Sequence, residues 1–375
     1  MNSNMTKYPS ISLFSGAFGL DLGLEKAGFD VRALVEKDPV CVETIIANRP
    51  HLAKNIINKD INHVSVKEIL KVANLKRGKA FLVAGGPPCQ PFSTVGKRKS
   101  ISSEEGMLFK KFLDVVWGIY PQYFIFENVK GIVSSAIRHV PLKKRNKTKI
   151  NKNSNLGSAW DFIRKEFSNK LKEGKRNGYK IHVFELDSSD FGVPQKRKRV
   201  FIIGVRSPYK TKILQIIPNN QKVTVKDTIL ELCGKDEKEG IDYRSYDATR
   251  FKIFSNGLVK DGQNWTVLPT RLQKKVMGKG WYATGGKVGF CRRLAWDKPS
   301  PTITTDPAGR ATNMCHPSRP RPLTYQECAL LQGFPENWKF AGSLTHKYRQ
   351  IGNAVPVQLA NKIGTVLIQS LRSQR

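Results

Sequence analysis

Short apolar runs, several of them without polar alternation, limit most strongly what this chain can fold into. Ser10–Phe14, Val31–Val35, Ala80–Ala84, Tyr123–Phe126, Ile181–Leu186 and Val200–Val205 read as β-strands. A strand that lacks alternation is one covered on both faces. Amphipathic stretches lie between these runs. Met107–Ile119 places Leu108, Phe112, Val115, Val116 and Ile119 on one helical stripe, and Leu156–Leu171 is a weaker helix. The alternation predicts an α/β domain on a mostly parallel sheet.

From about Arg206 to Pro320 the alternation fades, and Gly, Pro and isolated aromatics take over. A second, smaller and irregular domain is expected there. Thr324–Gln332 and Val355–Leu371 then return to helical spacing. The last of these carries Leu359, Ile363, Val366 and Leu367 on one side and could pack back on the first domain. The expected division is residues 1–205 completed by 341–375, with 206–340 as the second domain. Arg138–Lys152 holds seven basic residues and no acidic one, as an exposed, mobile basic loop would.

Charge narrows the partners. Across 375 residues, 64 Lys and Arg oppose 30 Asp and Glu, a formal net charge of +34. Such an excess points to an anionic polymer, nucleic acid before an acidic membrane surface. A hydrophobic fraction of 39% with 19 Phe excludes a disordered polycation. No apolar run approaches the ~20 residues of a membrane span. Met1–Ser10 is polar and lacks a secretory signal. A soluble, cytoplasmic protein is expected. The cysteines Cys41, Cys89, Cys233, Cys291, Cys315 and Cys328 form no C-x-x-C pair, so neither a zinc site nor a disulfide scaffold is expected.

Four motifs carry chemistry. Phe14-Ser-Gly-Ala-Phe-Gly-Leu-Asp21 follows the first strand. Its glycines Gly16 and Gly19 let the backbone approach a ligand, and the next helix aims its N-terminus at an anionic group. Glu36 ends the second strand, where an acidic residue typically holds ribose hydroxyls. A tight turn without a ligand fits the glycines equally. Asp60 could meet an adenine amine or cap a turn. Gly85-Gly-Pro-Pro-Cys-Gln-Pro-Phe-Ser93 follows the third strand and holds Cys89 rigidly at its carboxyl end, as a nucleophile requires. Glu127-Asn-Val129 places a carboxylate at the end of an apolar strand, where burial can raise its pKa, or where it can cap a helix. In Gln195-Lys-Arg-Lys-Arg199, strand alternation puts Arg197 and Arg199 on one face. A phosphate-contacting or solvated basic run is the plainer reading of that segment.

In this order the motifs resemble the DNA cytosine-5 methyltransferase family, of the type II restriction-modification kind. Arg321-Pro-Leu-Thr-Tyr-Gln-Glu-Cys-Ala-Leu-Leu-Gln-Gly-Phe-Pro335 and Tyr348-Arg-Gln-Ile-Gly-Asn-Ala-Val-Pro356 extend the resemblance, which runs from Ile11 to about Leu371. It implies an S-adenosylmethionine-dependent, Rossmann-like catalytic domain and a target-recognition domain. By resemblance S-adenosyl-L-methionine is held by Phe14, stacked on the adenine, with Ser15, Gly16 and Gly19 of the same loop. Glu36 takes the ribose, Asp60 and Ile61 the adenine, and Leu108, Asn353 and Val355 complete the site. Cys89 is implied as the thiolate adding to cytosine C6, Glu127 as its partner at N3 and the exocyclic amine, Arg197 as the holder of O2, and Arg199 as support.

The implied partner is duplex DNA with a flipped-out cytosine. Ser93, Lys97, Arg98 and Lys99 lie in an implied mobile loop, Ser93–Gly106. Arg271, Lys274, Lys275, Lys279, Arg292, Arg293 and Arg310 of the second domain would face guanine edges or phosphates. The resemblance further implies a monomer, no membrane association, a bacterial cytoplasmic setting on the nucleoid, and a cognate restriction endonuclease as functional partner without a stable complex. A tRNA-methylating relative of the same fold usually carries Cys-Phe-Thr late in the chain, which is absent here. A non-catalytic DNA-binding protein would not need Cys89, Glu127 and Arg197 together. A nicotinamide dehydrogenase leaves Gly85–Ser93 unexplained. Two departures stand out: Lys196 and Lys198 dilute the basic motif, and Gln326 stands where arginine is common.

Overall fold

The computed structural model describes residues 7–88, 104–134, 155, 157–175, 177–209, 213–219, 222–234, 248–282, 289–309, 312 and 314–373. Cys89, Ser93, Lys97, Arg98, Lys99, Arg310 and the segment Arg138–Lys152 lie outside the described residues. The chain divides into two compact units. Met1–Asp187, Lys198–Ile216 and Asn361–Arg375 form the first, and Ser188–Arg197 with Ile217–Ala360 form the second.

The first unit is a sheet with helices. In chain order it runs β1 (Tyr8–Leu13), α1 (Gly19–Ala27), β2 (Phe29–Val35), α2 (Pro39–Asn48), β3 (Ile56–Ile57), α3 (Val66–Ala73), β4 (Leu82–Gly85), α4 (Glu104–Ile119), β5 (Tyr123–Val129), α5 (Ser158–Lys170), β6 (Tyr179–Asp187) and β7 (Lys198–Arg206). Among the described residues seven strands pair in the order β3-β2-β1-β4-β5-β7-β6. The first five are mutually parallel, and β7 runs antiparallel to both β5 and β6. The expected mostly parallel α/β sheet is therefore present. The order turns back at β1, with β2 on one side and β4 on the other, and open α/β sheets bind ligands at such a point.

Burial explains why the strands were visible as apolar runs. Every residue of β4 is buried, and all of β5 but its last. The edge strand β6 is instead mostly half-buried or exposed, with only Tyr179 and Leu186 buried. Ile11, Leu13, Ala33, Val83, Phe112, Phe124 and Phe126 share one core. Phe124 packs edge to face on Tyr179 at 5.3 Å. The helices start where their caps dictate: Asp38 Oδ1 accepts from Val40 N at 3.1 Å, and Ser65 Oγ from Glu68 N at 3.1 Å. At the C-terminus, helix Val357–Arg372 sets Gly364 against Ala27, Leu24 and Phe29, where a Cβ would lie 2.8 Å from Ala27 Cβ.

The units are cut differently from the expected division. β7 continues to Arg206, whose guanidinium donates to the carbonyls of Gly78 and Tyr120 and lies 4.6 Å from the Tyr120 ring centre. Leu214 N donates to Ser370 Oγ at 3.0 Å, so the chain stays with the first unit to Ile216. Ser188–Arg197 belongs to the second unit because its side chains bond there: Gln195 Nε2 donates to Leu331 O at 3.2 Å and Gln195 Oε1 accepts from Ile303 N at 2.9 Å. Residues 341–360 also belong to the second unit.

The second unit has its own core of Phe251, Phe254, Val259, Trp265, Leu268, Val276 and Met277. Its helix Tyr325–Leu331 opens with a capping box between Thr324 and Glu327. Arg321 NH2 meets Glu327 Oε1 at 2.8 Å, and burial pushes the adjacent His316 imidazole down to about 3. Gln326 Oε1 is buried with no hydrogen-bond partner among the described residues, a local cost of the departure at this position. Among the described residues no helix is long and apolar enough to cross a membrane.

One glycine in a central strand is dictated by packing. Phe124 of β5 lies opposite Gly204 of β7, and a Cβ at residue 204 would fall 1.8 Å from Phe124 Cε1. Gly204→Ala should cost roughly 1–3 kcal/mol of stability through overpacking. Urea unfolding should show a lower midpoint at an unchanged slope, and an unmoved midpoint would contradict this packing.

Candidate active site

Pairing register builds the site as a row of residues one step beyond the last shared rung of β2, β1, β4 and β5. Leu13 is opposite Val35 on one side and Gly85 on the other, and Gly85 is opposite Phe126. The next residue of each strand or strand end is therefore Phe14, Glu36, Gly86 and Glu127. Residues distant in sequence line one edge because four parallel strands are in step.

The loop after β1 is tightly folded. Phe14, Gly16 and Phe18 all have positive φ, at 58°, 52° and 73°. Phe18 N donates to Ser15 O at 2.9 Å, closing a turn that delivers Gly19 as the first residue of α1. Phe18 is fully buried, Phe14 half-buried, and Ser15 8% exposed. Glu36 spans the base of the loop. Its Oε2 accepts from Gly16 N and its Oε1 from Asp38 N, each at 2.8 Å. Burial pushes the Glu36 carboxyl above its ordinary value, against the opposing pull of those N–H groups. Asp60 accepts from Asn62 N at 2.9 Å, the main reason its carboxyl is held low, and meets Lys37 Nζ at 3.2 Å. Ile61 is buried and Leu108 of α4 is half-buried against the same core.

The second half of the row holds a carboxylate and a guanidinium. Glu127 Oε1 lies 2.9 Å from Arg199 Nε, and both side chains are 11% exposed. The apolar setting expected for Glu127 is thus corrected: a cation flanks it. The other oxygen rests on a glycine, for a Cβ at Gly86 would sit 2.6 Å from Glu127 Oε2. Asn128 Nδ2 donates to Pro87 O at 3.3 Å and its Oδ1 accepts from Val129 N at 2.9 Å. The segment that leads to residue 89 is thereby tied to β5.

The sequence matches the C-5 cytosine-specific DNA methylase family over residues 8–369. The chain belongs to that family. It is 38% identical to the type II methyltransferase M.PspPI of Psychrobacter sp. (strain TA137), over 98% of this chain and 80% of that protein. It is 34% identical to the type II methyltransferase M.Sau96I of Staphylococcus aureus, over 98% of this chain and 78% of that protein. Among solved structures, an E. coli prophage-encoded protein described as a DNA modification methyltransferase shares 26% identity at TM-score 0.64, covering 97% of this chain and 99% of its own. Spodoptera frugiperda DNMT2 shares the fold at TM-score 0.58 and 17% identity, over 96% of this chain and 99% of its own.

A DNA cytosine-5 methyltransferase of this family uses S-adenosylmethionine as its methyl donor. The residues present fit it. Among the described residues a Cβ at Gly16 would meet nothing within 4 Å, so the loop leaves space beside the Glu36 carboxyl. Phe14, Ser15, Gly16, Gly19 and Glu36 would hold the cofactor there. Asn353, exposed at the end of helix Leu344–Asn353, and buried Val355 belong to the second unit.

Two arginines expected to touch DNA or base are instead committed to backbone. Arg197 is 2% exposed; it donates to Ile303 O at 2.9 Å, Gly352 O at 2.7 Å and Ala354 O at 3.1 Å. Its expected role on the cytosine is corrected to one of bracing the second unit. Arg199 is the arginine beside Glu127. Arg293, expected on DNA, is 7% exposed and donates to Val259 O, Pro317 O and Phe254 O at 2.8–3.0 Å. Burial holds half-buried Arg292 below the ordinary arginine value. Arg271 is exposed, as are Lys274 and Lys275 on the same helix, Thr270–Met277. Asp21, which ends the first motif, is 1% exposed in the first turn of α1.

The arginine pair separates cleanly by experiment. Arg199→Gln should lower turnover by about 10²–10³-fold, the usual cost of one lost charge-stabilising donor, at a near-normal urea midpoint. Arg197→Gln should instead cost roughly 3–5 kcal/mol of stability by leaving buried carbonyls unpaired. The reverse pattern would restore the original assignment. Gly86→Ala should displace the Glu127 carboxylate and cut methyl transfer by about tenfold or more, with the S-adenosylmethionine Kd unchanged. A wild-type rate would show that the carboxylate does not need this seat.

Proposed function

We propose that this methyltransferase modifies one cytosine of a specific duplex sequence, extruded from the helix, and so protects DNA from a cognate restriction endonuclease. The observation that carries the chemical part is the Glu127–Arg199 pair resting on Gly86, three residues before Cys89. Cytosine C5 is a poor nucleophile. A Cys89 thiolate bonding to C6 opens the C5=C6 bond and loads electron density onto C5. As the thiolate adds, Glu127, having taken up a proton, donates it to N3 while its other oxygen accepts from the exocyclic amine, and Arg199 donates to O2, so that the ring can accept the electron density. S-adenosylmethionine, when bound, supplies the electrophilic methyl group. Loss of the C5 proton and departure of the Cys89 sulfur restore the ring.

The target base must leave the duplex for C6 to be reached, at a cost of a few kcal/mol offset by pocket and backbone contacts. Helix Thr270–Met277 favours backbone contacts from the second unit. It buries Val276 and Met277 and leaves Arg271, Lys274 and Lys275 exposed. The type II relatives support the pairing with a restriction enzyme. The chain supplies loop, Glu127–Arg199 pair and basic helix in one polypeptide, which supports action as a monomer.

The test uses labelled S-adenosylmethionine with duplex DNA and, separately, with tRNA. Label should enter DNA at C5 of cytosine in one sequence context, and that DNA should resist a restriction enzyme cutting the same context. Label in tRNA alone, or at N4, would defeat the proposal. Cys89→Ala should abolish both transfer and covalent trapping on 5-fluorocytosine DNA, and persistent trapping would exclude Cys89 as the nucleophile.

A further inference from the structure

The amino ends of β4, β5 and β6 and the carboxyl end of β7 gather cations that the reaction does not use. They lie at the end of the sheet opposite the row from Phe14 to Glu127. The length of β5 separates the two ends by about 20 Å. Tyr120, between α4 and β5, is the centre of the cluster and holds a positive φ of 58°. The guanidinium carbons of Arg77 and Arg206 each lie 4.6 Å from its ring centre. Trp117 meets the same ring edge to face at 5.9 Å, and the Tyr120 hydroxyl donates to Asn177 O at 3.2 Å.

The two arginines do different work. Arg206 is buried and gives its donors to Gly78 O and Tyr120 O, which fixes the ring from the interior. Arg77 is exposed. Its Nε donates to Gly118 O at 3.1 Å and its NH2 to Trp117 O at 3.2 Å, among the last carbonyls of α4. Those bonds and the Tyr120 ring set the plane of the fork. A guanidinium has five N–H groups, so three are left for a ligand. A phosphate would meet a fork already in place, and little side-chain freedom would be lost on contact. Lysines surround it. Lys76 and Lys79 flank Arg77, Lys172 and Lys175 come from the turn before β6, and all four are exposed. Lys172 Nζ lies 5.2 Å over the Trp117 ring. Glu173 is the one acidic residue in these two segments, and it is half-buried. The rings of Trp117 and Tyr120 thus lie against cations, and the surface offers mainly charge. That matches a row of phosphates and not a protein interface, whose core is depleted of charge.

We propose that this end of the sheet is a second DNA-binding surface, which grips the phosphate backbone of a duplex segment other than the one that presents the target cytosine. The Arg77 fork takes one phosphate and the four lysines take its neighbours, without reading sequence. One chain then holds two segments, which raises the local concentration of DNA at the site and lets the enzyme pass from one segment to the other.

Sedimentation velocity with a labelled duplex that carries the target context tests this. Its length is about 20 base pairs, far below the ~150 base pairs of the DNA persistence length, so one duplex cannot wrap round to both ends of the sheet. The wild-type protein should bind two duplexes at low salt and one at higher salt, as phosphate contacts weaken. Lys79→Glu with Lys175→Glu should weaken the second duplex by about tenfold or more and lower its salt slope by about two, with methyl transfer to the same duplex unchanged. Lys67→Glu with Lys165→Glu, an equal change of charge at exposed positions elsewhere on this unit, should bind both duplexes as the wild type does. Arg77→Lys, which keeps the charge and loses the fork, should weaken the second duplex alone. One duplex bound to the wild type at low salt would overturn the proposal. So would equal losses in the two paired variants, because the effect would then be one of net charge. Wild-type affinity in Arg77→Lys would overturn the role given to the fork. A tRNA that displaces the second duplex at lower concentration than DNA does would assign the surface to RNA instead.

Discussion

The approach of β4 to its neighbours without intervening side chains is the constraint on which the site depends. At Gly85 a Cβ would stand 2.6 Å from Leu13 O, and at Gly86 2.6 Å from Glu127 Oε2. The first absence lets β1 and β4 pair to their last residues. The second leaves room for a carboxylate where β5 emerges. With the strands in step, the loop, Glu36 and the Glu127–Arg199 pair fall on one edge without any segment between them having to bend. Pro87 and Pro88 then carry the backbone onward with φ fixed, and Asn128 holds the Pro87 carbonyl. The rigidity that a nucleophile at residue 89 would require is therefore present in the described residues that lead to it.

The charge excess divides into two populations with different work. Arg197, Arg206 and Arg293 are each 8% exposed or less and spend their donors on backbone carbonyls. A guanidinium has five N–H groups in a fixed fork and can collect carbonyls from several segments at once. Arg293 takes them from three places in the second unit, where regular structure is sparse and carbonyls lack ladder partners. These cations hold folds together and offer nothing to a phosphate. Lys196, Lys198, Arg271, Lys274 and Lys275 are exposed and remain to act on a polyanion. A sum of charges states the class of partner but cannot tell the two populations apart.

That distinction marks what the sequence could and could not disclose. The strands were legible because both faces of the sheet's centre are covered, which writes apolar runs into β4 and β5. The row of Phe14, Glu36 and Glu127 was legible because the first two directly follow a strand and Glu127 directly follows the apolar run Tyr123–Phe126 of β5. Strand alternation put Arg197 and Arg199 on one face and Lys196 and Lys198 on the other, and the two lysines are the exposed pair. It could not say which arginine met Glu127, because β7 begins at Lys198 and Arg197 precedes it, among carbonyls more than 100 residues further along the chain. The unit boundaries were hidden for the same reason. Gln195 and Arg206 choose their units through long-range bonds that no local pattern carries.

The loop after β1 shows how such distant support shapes a binding surface. Two bulky residues, Phe14 and Phe18, hold the left-handed backbone that glycine adopts freely, at about 1–2 kcal/mol each. Phe18 is fully buried, and burying such a ring contributes roughly 1.5–3 kcal/mol, enough to offset its own strain. Phe14 is only half-buried, so its conformation depends on the Phe14 N bond to Val35 O and on the Glu36 carboxylate that grips Gly16. The loop is thus held open-faced by anchors beneath and beside it, not by its own preference. Ser12 Oγ of β1, 2.8 Å from Ser15 Oγ, is one more such anchor, tying the loop to the strand that it leaves.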